Sequence, residues 1–229
     1  VAWEDLRNDN DEWDYTDIYG ARVGPDGTLM DTSSLAIGVW GSTYQKAPSV
    51  AWGISNFLVV WEDSRNVAST SRYDVYGTRV SSGGQIVDPS HFPVSGYASN
   101  QLSPCATWGG TNFFVVWSDV RRGNTSDLFA ARVSESGRVL DSNGMAICSL
   151  AGNQSLPSAA WNGSQFLVAW QTDMNADYRT HIYAGRVTET GGVLDAAGIL
   201  LSRGGNSQTE CDAAWGRTNW LVVWRDNLD

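Results

Sequence analysis

Short apolar segments recur along the chain at a nearly constant interval. Five of them, VAWED, FLVVWED, FFVVWSD, FLVAWQT and WLVVWRD, are copies of one element, with tryptophans at Trp3, Trp61, Trp117, Trp170 and Trp224. Successive tryptophans are 58, 56, 53 and 54 residues apart. In the second copy, Leu58 and Val60 point to one side of an extended chain and Trp61 to the other. Such a segment, apolar on both faces, predicts a β-strand covered on both sides.

Three further elements accompany this strand, which we name strand B. Strand A (QxxPxxxW) precedes it, strand C (DIYGARV in the first copy) follows it, and strand D (xVLD and the apolar residues after it) comes last. The repeated positions are Gln45, Pro48 and Trp52; Gln101, Pro104 and Trp108; Gln154, Pro157 and Trp161; and Gln208, Cys211 and Trp215 in strand A; Arg22, Arg79, Arg132 and Arg186 in strand C; and Asp31, Asp88, Asp141 and Asp195 in strand D. Glycine-containing turns join A to B and C to D, so these pairs form antiparallel hairpins.

The repeat predicts an all-β fold in which identical sheets stack on one another. No helical period occurs in the sequence, so only the next copy of the sheet is available to cover each apolar face. The predicted architecture is a β-propeller of four-stranded antiparallel blades, with about four repeats of 53 to 58 residues in this chain. Small residues before the tryptophan of strand A place that strand innermost. The B–C loops and the D–A crossings then share one face of the propeller.

We expect a single propeller domain, or a fragment of one, over residues 1–229. The sequence divides into a partial blade at 1–44, blades at 45–100, 101–153 and 154–207, and a partial blade at 208–229. Strand B occurs once more often than the other strands. Two arrangements account for the surplus: a four-bladed ring with one strand B left over, or a window from a longer propeller. The surplus strand and the absence of an initiator methionine favour the longer propeller.

The order of these motifs resembles a known type of repeat. PxxxW, a glycine turn, an apolar strand, a D-x-R step and DIY are similar to the WD40-like repeats of TolB-type bacterial periplasmic proteins and to the W-x-D-x-R...DIYGxRV repeats of secreted bacterial propellers. The resemblance implies a secreted, periplasmic or cell-surface protein. The repeats here are longer, lack a PDG turn between strands A and B, and have no helical partner domain. The resemblance therefore specifies the blade and not a TolB-type partner.

Composition narrows the classes of partner. The 229 residues include 25 acidic and 15 basic side chains, a net charge of −10, and no basic cluster. Nucleic-acid affinity comes largely from neutralising phosphates, so a nucleic-acid partner is not expected. No apolar run reaches the roughly 18 residues of a membrane span. Cys105, Cys148 and Cys211 form neither a disulfide framework nor a zinc motif, and one bridge with one free thiol stays open.

Charged residues after strand B recur in three blades. They are Asp5, Arg7 and Asp17; Asp63, Arg65 and Asp74; and Asp119, Arg121 and Asp127, while Thr172, Met174 and His181 replace them in the fourth. Because the three charges disappear together, we interpret each set as a structural clasp in which the arginine bridges both carboxylates. A catalytic carboxylate pair is the alternative, but an enzyme needs only one such centre. The repeated arginines of strand C are interpreted as stacking and salt-bridging staples between blades.

The B–C loops differ from blade to blade and are the predicted ligand-binding surface, because function often lies on irregular segments held by a rigid scaffold. The candidate binding residues are Trp13, Tyr15, Arg72, Tyr73, Arg121, Arg122, Asp177, Tyr178 and Arg179. The first loop is acidic and is interpreted as a solvated loop; the alternative is a Ca²⁺ site, with Asp9, Asp11 and Asp14 as candidate metal ligands. It lacks the glycine and distal glutamate of an EF-hand loop. No other cofactor is expected.

These observations lead to a functional expectation with two alternatives. We expect a non-catalytic extracytoplasmic module, without catalytic residues, that binds a protein or polysaccharide partner through its loop-rich face. The first alternative is a glycan-active protein, either a glycoside hydrolase or lyase using carboxylates of the acidic loop or a carbohydrate-binding lectin. The second is a structural element of a cell-surface assembly or filament. No GxSxG or HExxH motif supports other hydrolytic chemistry.

Overall fold

The computed structural model describes residues 1–8, 15–66, 72–123, 125–173, 179–202 and 206–227. Within these ranges the regular elements are seventeen β-strands arranged in five antiparallel sheets. The all-β prediction is therefore confirmed. None of the described residues belongs to a helix long and apolar enough to cross a membrane.

The sheets follow one another in chain order. Sheet 1 contains β1 (Ala2–Asp5), β2 (Asp17–Gly20) and β3 (Leu35–Gly38); sheet 2 contains β4 (Gln45–Trp52), β5 (Asn56–Asp63), β6 (Asp74–Ser81) and β7 (Phe92–Ser95); sheet 3 contains β8 (Gln101–Trp108), β9 (Asn112–Asp119), β10 (Asp127–Ser134) and β11 (Met145–Cys148); sheet 4 contains β12 (Gln154–Trp161), β13 (Gln165–Thr172), β14 (His181–Thr188) and β15 (Ile199–Leu200); and sheet 5 contains β16 (Gln208–Trp215) and β17 (Trp220–Asp226). Sheets 2 to 4 carry strands A, B, C and D in that order. Sheet 1 carries B, C and D, and sheet 5 carries A and B.

One face of strand B in each sheet packs on the opposite face of strand B in the next sheet. Between sheets 2 and 3, Leu58 and Val60 of β5 and Val75 of β6 form one core with Val115 and Trp117 of β9, all fully buried. The two-sided apolar pattern of strand B thus serves two interfaces, one with each neighbouring sheet. Sheets stacked in this way around an axis form a β-propeller, which confirms the predicted fold class.

The inner strands β4, β8, β12 and β16 meet around the axis, as predicted. Each contains a register shift near its start, where it pairs with its strand B. The shifts contain residues with positive φ that are not glycine: Ala47 (49°), Ser103 (53°), Leu156 (49°) and Glu210 (56°). This left-handed backbone is costly for residues with a side chain and persists only where surrounding contacts hold it. For Ala47, Ser103 and Glu210 those contacts come from side chains of the preceding sheet.

The strand C arginines form ion pairs with the strand D aspartates. The shortest N–O distances are 2.6 Å for Arg22–Asp31, 2.7 Å for Arg79–Asp88, 2.8 Å for Arg132–Asp141 and 2.7 Å for Arg186–Asp195. Arg22 and Arg79 also donate to backbone carbonyls of the following sheet, at Ser82 (2.6 Å) and Glu135 (3.1 Å). Both arginines therefore connect strands C and D of one sheet to the next sheet, as a staple does.

Sheet 5, at one end of the stack, exposes a face that is buried between sheets in the middle of the stack. Leu221 and Val223 of β17 are exposed, whereas Leu58 and Val60, at the same positions of β5, are fully buried. The strands β16 and β17 pair with each other and form a sheet separate from that of β2. The chain is therefore not a closed four-bladed ring in which the last A and B strands complete the first sheet.

Candidate functional site

A funnel opens on the propeller axis, at the end of the inner strands where strand A begins. It has a volume of about 350 Å³ and is lined by Ala47, Pro48, Ser103, Pro104, Leu156, Pro157, Glu210 and Cys211. Each inner strand contributes the positive-φ residue of its register shift and the residue after it. Since strand A begins where the D–A crossing ends, the funnel lies on the face that carries the crossings and the B–C loops.

Side chains of strand B hold the backbone that lines this funnel. The Glu4 carboxylate accepts the Ala47 N–H at 2.8 Å, and the Glu62 carboxylate accepts the Ser103 N–H at 2.7 Å. The Gln171 side-chain oxygen accepts the Glu210 N–H at 3.1 Å. In each case the residue after the strand B tryptophan binds the register shift of the next sheet. These bonds satisfy N–H groups that the shifts remove from the sheet ladder.

This strand B position differs from sheet to sheet. The five residues there are Glu4, Glu62, Ser118, Gln171 and Arg225. The matching position of strand A also varies, with Lys46, Leu102, Ser155 and Thr209. Lys46 is the only lysine among the fifteen basic residues, and it is the register partner of Glu62. Charged residues therefore gather on one side of the axis, near sheets 1 and 2.

Glu62 is the most unusual carboxyl group of this region. It is 9% exposed, although carboxylates are seldom buried unless paired. Burial raises the pKa of Glu62 above its usual range; the Ser103 N–H acts in the opposite direction, the charge of Glu4 raises it further, and that of Lys46 lowers it. A carboxyl group with a raised pKa beside an exposed carboxylate is the arrangement used by acid–base catalysts.

A second pair of charges lies in sheet 5, on β16 and β17. Arg225 and Glu210 approach to 3.7 Å, and both side chains are largely exposed. We name the set Glu4, Lys46, Glu62, Glu210 and Arg225 the axial site. It combines a buried acid, exposed carboxylates and two cations around an open funnel. Such a site can donate a proton, accept one and hold a polar ligand.

Tyr15, a predicted binding residue, lies near the axial site. Its ring and that of Tyr44 have centroids 5.0 Å apart, and the Lys46 ammonium lies 4.7 Å from the Tyr44 centroid. The two tyrosines therefore form an aromatic approach to the charged residues. Aromatic surfaces next to carboxylates suit the apolar faces and hydroxyl groups of sugars.

The other described candidates lie apart on separate sheets. Arg72 is 3.6 Å from Asp74, Arg122 is 3.7 Å from Asp127, and Tyr73 donates its backbone N–H to Asn100. Arg121 is held by Asp119 in the clasp of sheet 3, and Arg179 is exposed beside sheet 4. Each of the three arginines of sheets 2 and 3 pairs with a carboxylate of its own sheet, and Arg121 and Arg122 also lie over the Phe129 ring. Their role in binding stays a prediction.

Several candidates lie outside the described residues. These are Trp13, Asp177 and Tyr178 of the binding set and Asp9, Asp11 and Asp14 of the Ca²⁺ set. Within the described ranges no group of three or more His, Cys, Asp or Glu side chains is arranged to hold a metal ion. The three cysteines are free thiols. Burial raises the pKa of Cys211, which lines the funnel, to about 12, so this thiol is protonated at neutral pH.

The clasps differ from the predicted geometry. In sheet 2, Arg65 binds both oxygens of Asp63, at 2.9 and 2.6 Å, and Trp61 donates to the same carboxylate at 2.8 Å. Asp74 accepts instead from the amide of Asn66 at 3.0 Å. The prediction that one arginine bridges both aspartates is therefore wrong, because the neighbouring asparagine takes the second carboxylate. The clasp ties a B–C loop to the end of its own sheet, which is a structural role.

Sequence reasoning missed the axial site because it searched for what the repeats share. The segments WED, WED, WSD and WRD of the first, second, third and fifth copies differ only in their middle residue. The fourth copy, WQT, also differs in its last residue. Likewise QKAP, QLSP, QSLP and QTEC vary where Lys46 stands. A search for variable positions inside constant strands would have found Glu62 and Lys46. The same search would not have shown that these residues surround one funnel.

Comparisons with known proteins show the fold. No protein family matches the sequence, and no curated protein does. An α-L-arabinanase of Penicillium chrysogenum, solved with arabinobiose, is 14% identical, with a TM-score of 0.64 over 91% of this chain and 67% of that one. A GH93 α-L-arabinofuranosidase of Fusarium graminearum, also solved with arabinobiose, is 14% identical, with a TM-score of 0.62 over 93% and 67%. An endo-arabinase of Bacteroides thetaiotaomicron is 10% identical, with a TM-score of 0.60 over 100% and 93%.

These structures correct the expected function. The solved propellers that resemble this chain are glycan-active enzymes, and the axial site supplies a buried acid beside an exposed carboxylate. These neighbours contradict the expectation of a non-catalytic binding module, and a glycan-active role is a proposal. At 10 to 14% identity the likeness establishes the fold alone, so the chain is described as a β-propeller similar to these arabinan-active proteins.

Proposed function

We propose that the protein is a glycan-active enzyme of the β-propeller type and that its reaction centre is the axial site. The observation that carries this proposal is Glu62, a carboxyl group at 9% exposure whose Oε1 holds the backbone lining of the funnel. Burial of a carboxyl group is unfavourable unless its proton is retained. A carboxyl group whose pKa is raised by burial, beside an open funnel, is a candidate for the general acid of a glycosidase.

The proposed reaction is hydrolysis of a glycosidic bond. Glu62 donates its proton from Oε2 to the bridging oxygen as the bond from that oxygen to the anomeric carbon breaks. Water adds its hydroxyl to the anomeric carbon and gives its proton to Glu4, the neighbouring exposed carboxylate. Lys46 is the register partner of Glu62, and its charge lowers the pKa of Glu62.

We assign an arabinose-containing polysaccharide as the substrate class, with support from the arabinobiose bound in two similar propellers. A polysaccharide partner also accords with a secreted or cell-surface protein, because such polymers lie outside the cell. We also propose that the repeats are WD40-like, which is a property of the blade. It adds nothing about the substrate.

In the experiment the protein is incubated with linear arabinan, arabinoxylan, galactan and xylan in turn, and the release of reducing ends is measured. We expect product from arabinan or arabinoxylan, and Glu62→Gln lowers the rate at least about 100-fold. Glu189→Gln is the matched control, because Glu189 is a half-buried carboxylate that accepts a hydrogen bond from the Thr111 hydroxyl in turns of the opposite face. Absence of product from every polymer, or equal loss in both variants, contradicts the proposal.

A further inference from the structure

Two large aromatic side chains are exposed on the face that carries the funnel. Trp40 lies in the crossing from β3 to β4, and Tyr97 lies at the equivalent place in the crossing from β7 to β8. They are 45% and 49% exposed. Aromatic residues exposed to this degree on one face of a protein are commonly binding residues, since burial of their rings is favourable.

Both rings are held in place by an arginine of the next sheet. The Arg65 guanidinium carbon lies 4.3 Å from the Trp40 centroid, and the Arg121 guanidinium carbon lies 4.2 Å from the Tyr97 centroid. The carbonyl oxygens of the two residues are also fixed: that of Trp40 accepts from the Thr43 hydroxyl at 2.6 Å, and that of Tyr97 from the Gln101 amide at 2.7 Å. A ring fixed in this way loses little conformational freedom when a ligand stacks on it.

The clasp itself does not need these rings. Arg7 is 41% exposed, and among the described rings only that of Tyr19 stacks on it. It nevertheless binds Asp5 at 2.9 and 2.5 Å, and Arg65 binds Asp63 at 2.9 and 2.6 Å. Arginine–aspartate pairing is therefore the same where one described ring stacks on the arginine, as on Arg7, and where two do, as on Arg65. The exposed aromatic faces are available for another role.

The crossings lead from the rim of the face to the axis. The crossing that begins near Trp40 ends at Gln45 and Lys46, and the one that contains Tyr97 ends at Gln101, near the funnel. A chain molecule that leaves the axial site therefore passes over these crossings. Sugar rings present flat C–H faces that pack on aromatic rings, and their hydroxyl groups stay in water at the rim.

We propose that Trp40 and Tyr97 are two stacking subsites that hold a polysaccharide chain outward from the axial site. The inference rests on the proposed function and deepens it, because it assigns an extended polymer as the substrate. In the next crossing Leu150 stands at the equivalent position, so the two subsites occupy one sector of the face, over sheets 1 to 3. The axial residues Glu4, Lys46 and Glu62 lie on the same side of the axis.

The test is native affinity electrophoresis of the whole chain in gels that contain linear arabinan or arabinoxylan. We expect that one of these polymers retards the protein and that Trp40→Ala and Tyr97→Ala each raise the dissociation constant about 2- to 12-fold. Trp52→Ala is the matched control, since Trp52 is 43% exposed but lies at the A–B turn of the opposite face. Trp40→Phe retains an aromatic face and keeps most of the retardation. Thermal melting identifies any variant that fails to fold.

A second readout separates this inference from the proposed function. With a subsite at Trp40, Trp40→Ala lowers kcat/KM for long arabino-oligosaccharides and leaves that for a disaccharide unchanged. Retardation that depends on Trp40 but occurs without hydrolysis supports the subsites and contradicts the enzyme. Hydrolysis that is equally sensitive to Trp40→Ala for short and long substrates contradicts the subsites and leaves the enzyme standing. Absence of retardation in both polymers, or equal loss in Trp52→Ala, overturns the inference.

Discussion

Two sets of side chains occupy equivalent positions in successive sheets and differ in how far they vary. The staple set is constant: Arg22, Arg79, Arg132 and Arg186 each pair with the aspartate nine residues later. The axial set, at the position after the strand B tryptophan, changes from Glu4 and Glu62 to Ser118, Gln171 and Arg225. A staple has to match a fixed partner in its own sheet, so its chemistry is constrained in every repeat.

The axial position has a weaker constraint, because the backbone N–H of the next sheet requires only an acceptor. Glu4, Glu62 and Gln171 all supply one with the same geometry. Charge can therefore change at this position while the fold stays the same. In this chain the constant positions serve the architecture, while the variable positions inside constant strands are free to serve the proposed reaction.

The largest expected effect is loss of a clasp. Asp119 is fully buried and accepts hydrogen bonds from Trp117, Arg121 and Ser99, so Asp119→Ala leaves the buried Arg121 charge without its carboxylate. We expect a loss of about 3 kcal/mol in the free energy of unfolding, measured by urea denaturation. Thr172→Ala, at the same position of sheet 4, is the control and costs less. Equal losses of unfolding free energy in the two variants would show that the clasp adds no stability.

Next in size is the effect of Glu4→Gln. Glutamine still accepts the Ala47 N–H, so the funnel backbone and the urea midpoint stay unchanged. Loss of the proton acceptor lowers kcat about 100-fold on the polysaccharide that the wild type hydrolyses. A fall in the urea midpoint with intact kcat would assign Glu4 to the architecture and break the comparison.

A smaller effect is expected within the staple set. Arg79 is 15% exposed and also donates to the Glu135 carbonyl of the next sheet, whereas Arg186 is 42% exposed. Arg79→Ala lowers the free energy of unfolding by about 1 kcal/mol, because it removes an intersheet hydrogen bond and a partly buried pair. Arg186→Ala shifts the urea midpoint less. The reverse order would show that the staples act independently of burial.

The smallest effect concerns pH. The charge of Lys46 lowers the pKa of Glu62, so Lys46→Met raises that pKa. A general acid works in its protonated form, and the rate therefore falls as pH rises through its pKa. The alkaline limb of the pH–rate profile moves to higher pH in Lys46→Met and returns to the wild-type position in Lys46→Arg. An unmoved limb would exclude Glu62 as the group that titrates there.

The sequence predicts most of the fold because the relevant forces are local or repeated. The apolar positions on both faces of strand B specify two-sided packing, and the turn glycines specify antiparallel hairpins. The clasp was predicted in composition but not in geometry, because Asn66, next to Arg65, competes for Asp74. Local rules do not anticipate such competition between neighbouring donors.

The funnel could not be predicted in the same way. Residues before proline usually adopt extended backbone, yet Ala47 precedes Pro48 with a φ of 49°. Its N–H is bound by Glu4, 43 residues earlier in the chain. A conformation that depends on so distant a contact leaves no signal in the local sequence. The axial site follows from it and was hidden for the same reason.

The left-handed residues of the inner strands also have an evolutionary consequence. Ala47, Ser103 and Glu210 each present an N–H to a single side chain of the preceding sheet, and that side chain is replaceable without moving the main chain. After duplication of an ancestral repeat, acidic, neutral and basic side chains can be exchanged one at a time around the axis. Replacing Ser118 by Glu and Leu102 by Lys would copy the sheet 2 pair into sheet 3. A propeller built on such shifts can relocate its reactive centre by one repeat with two substitutions.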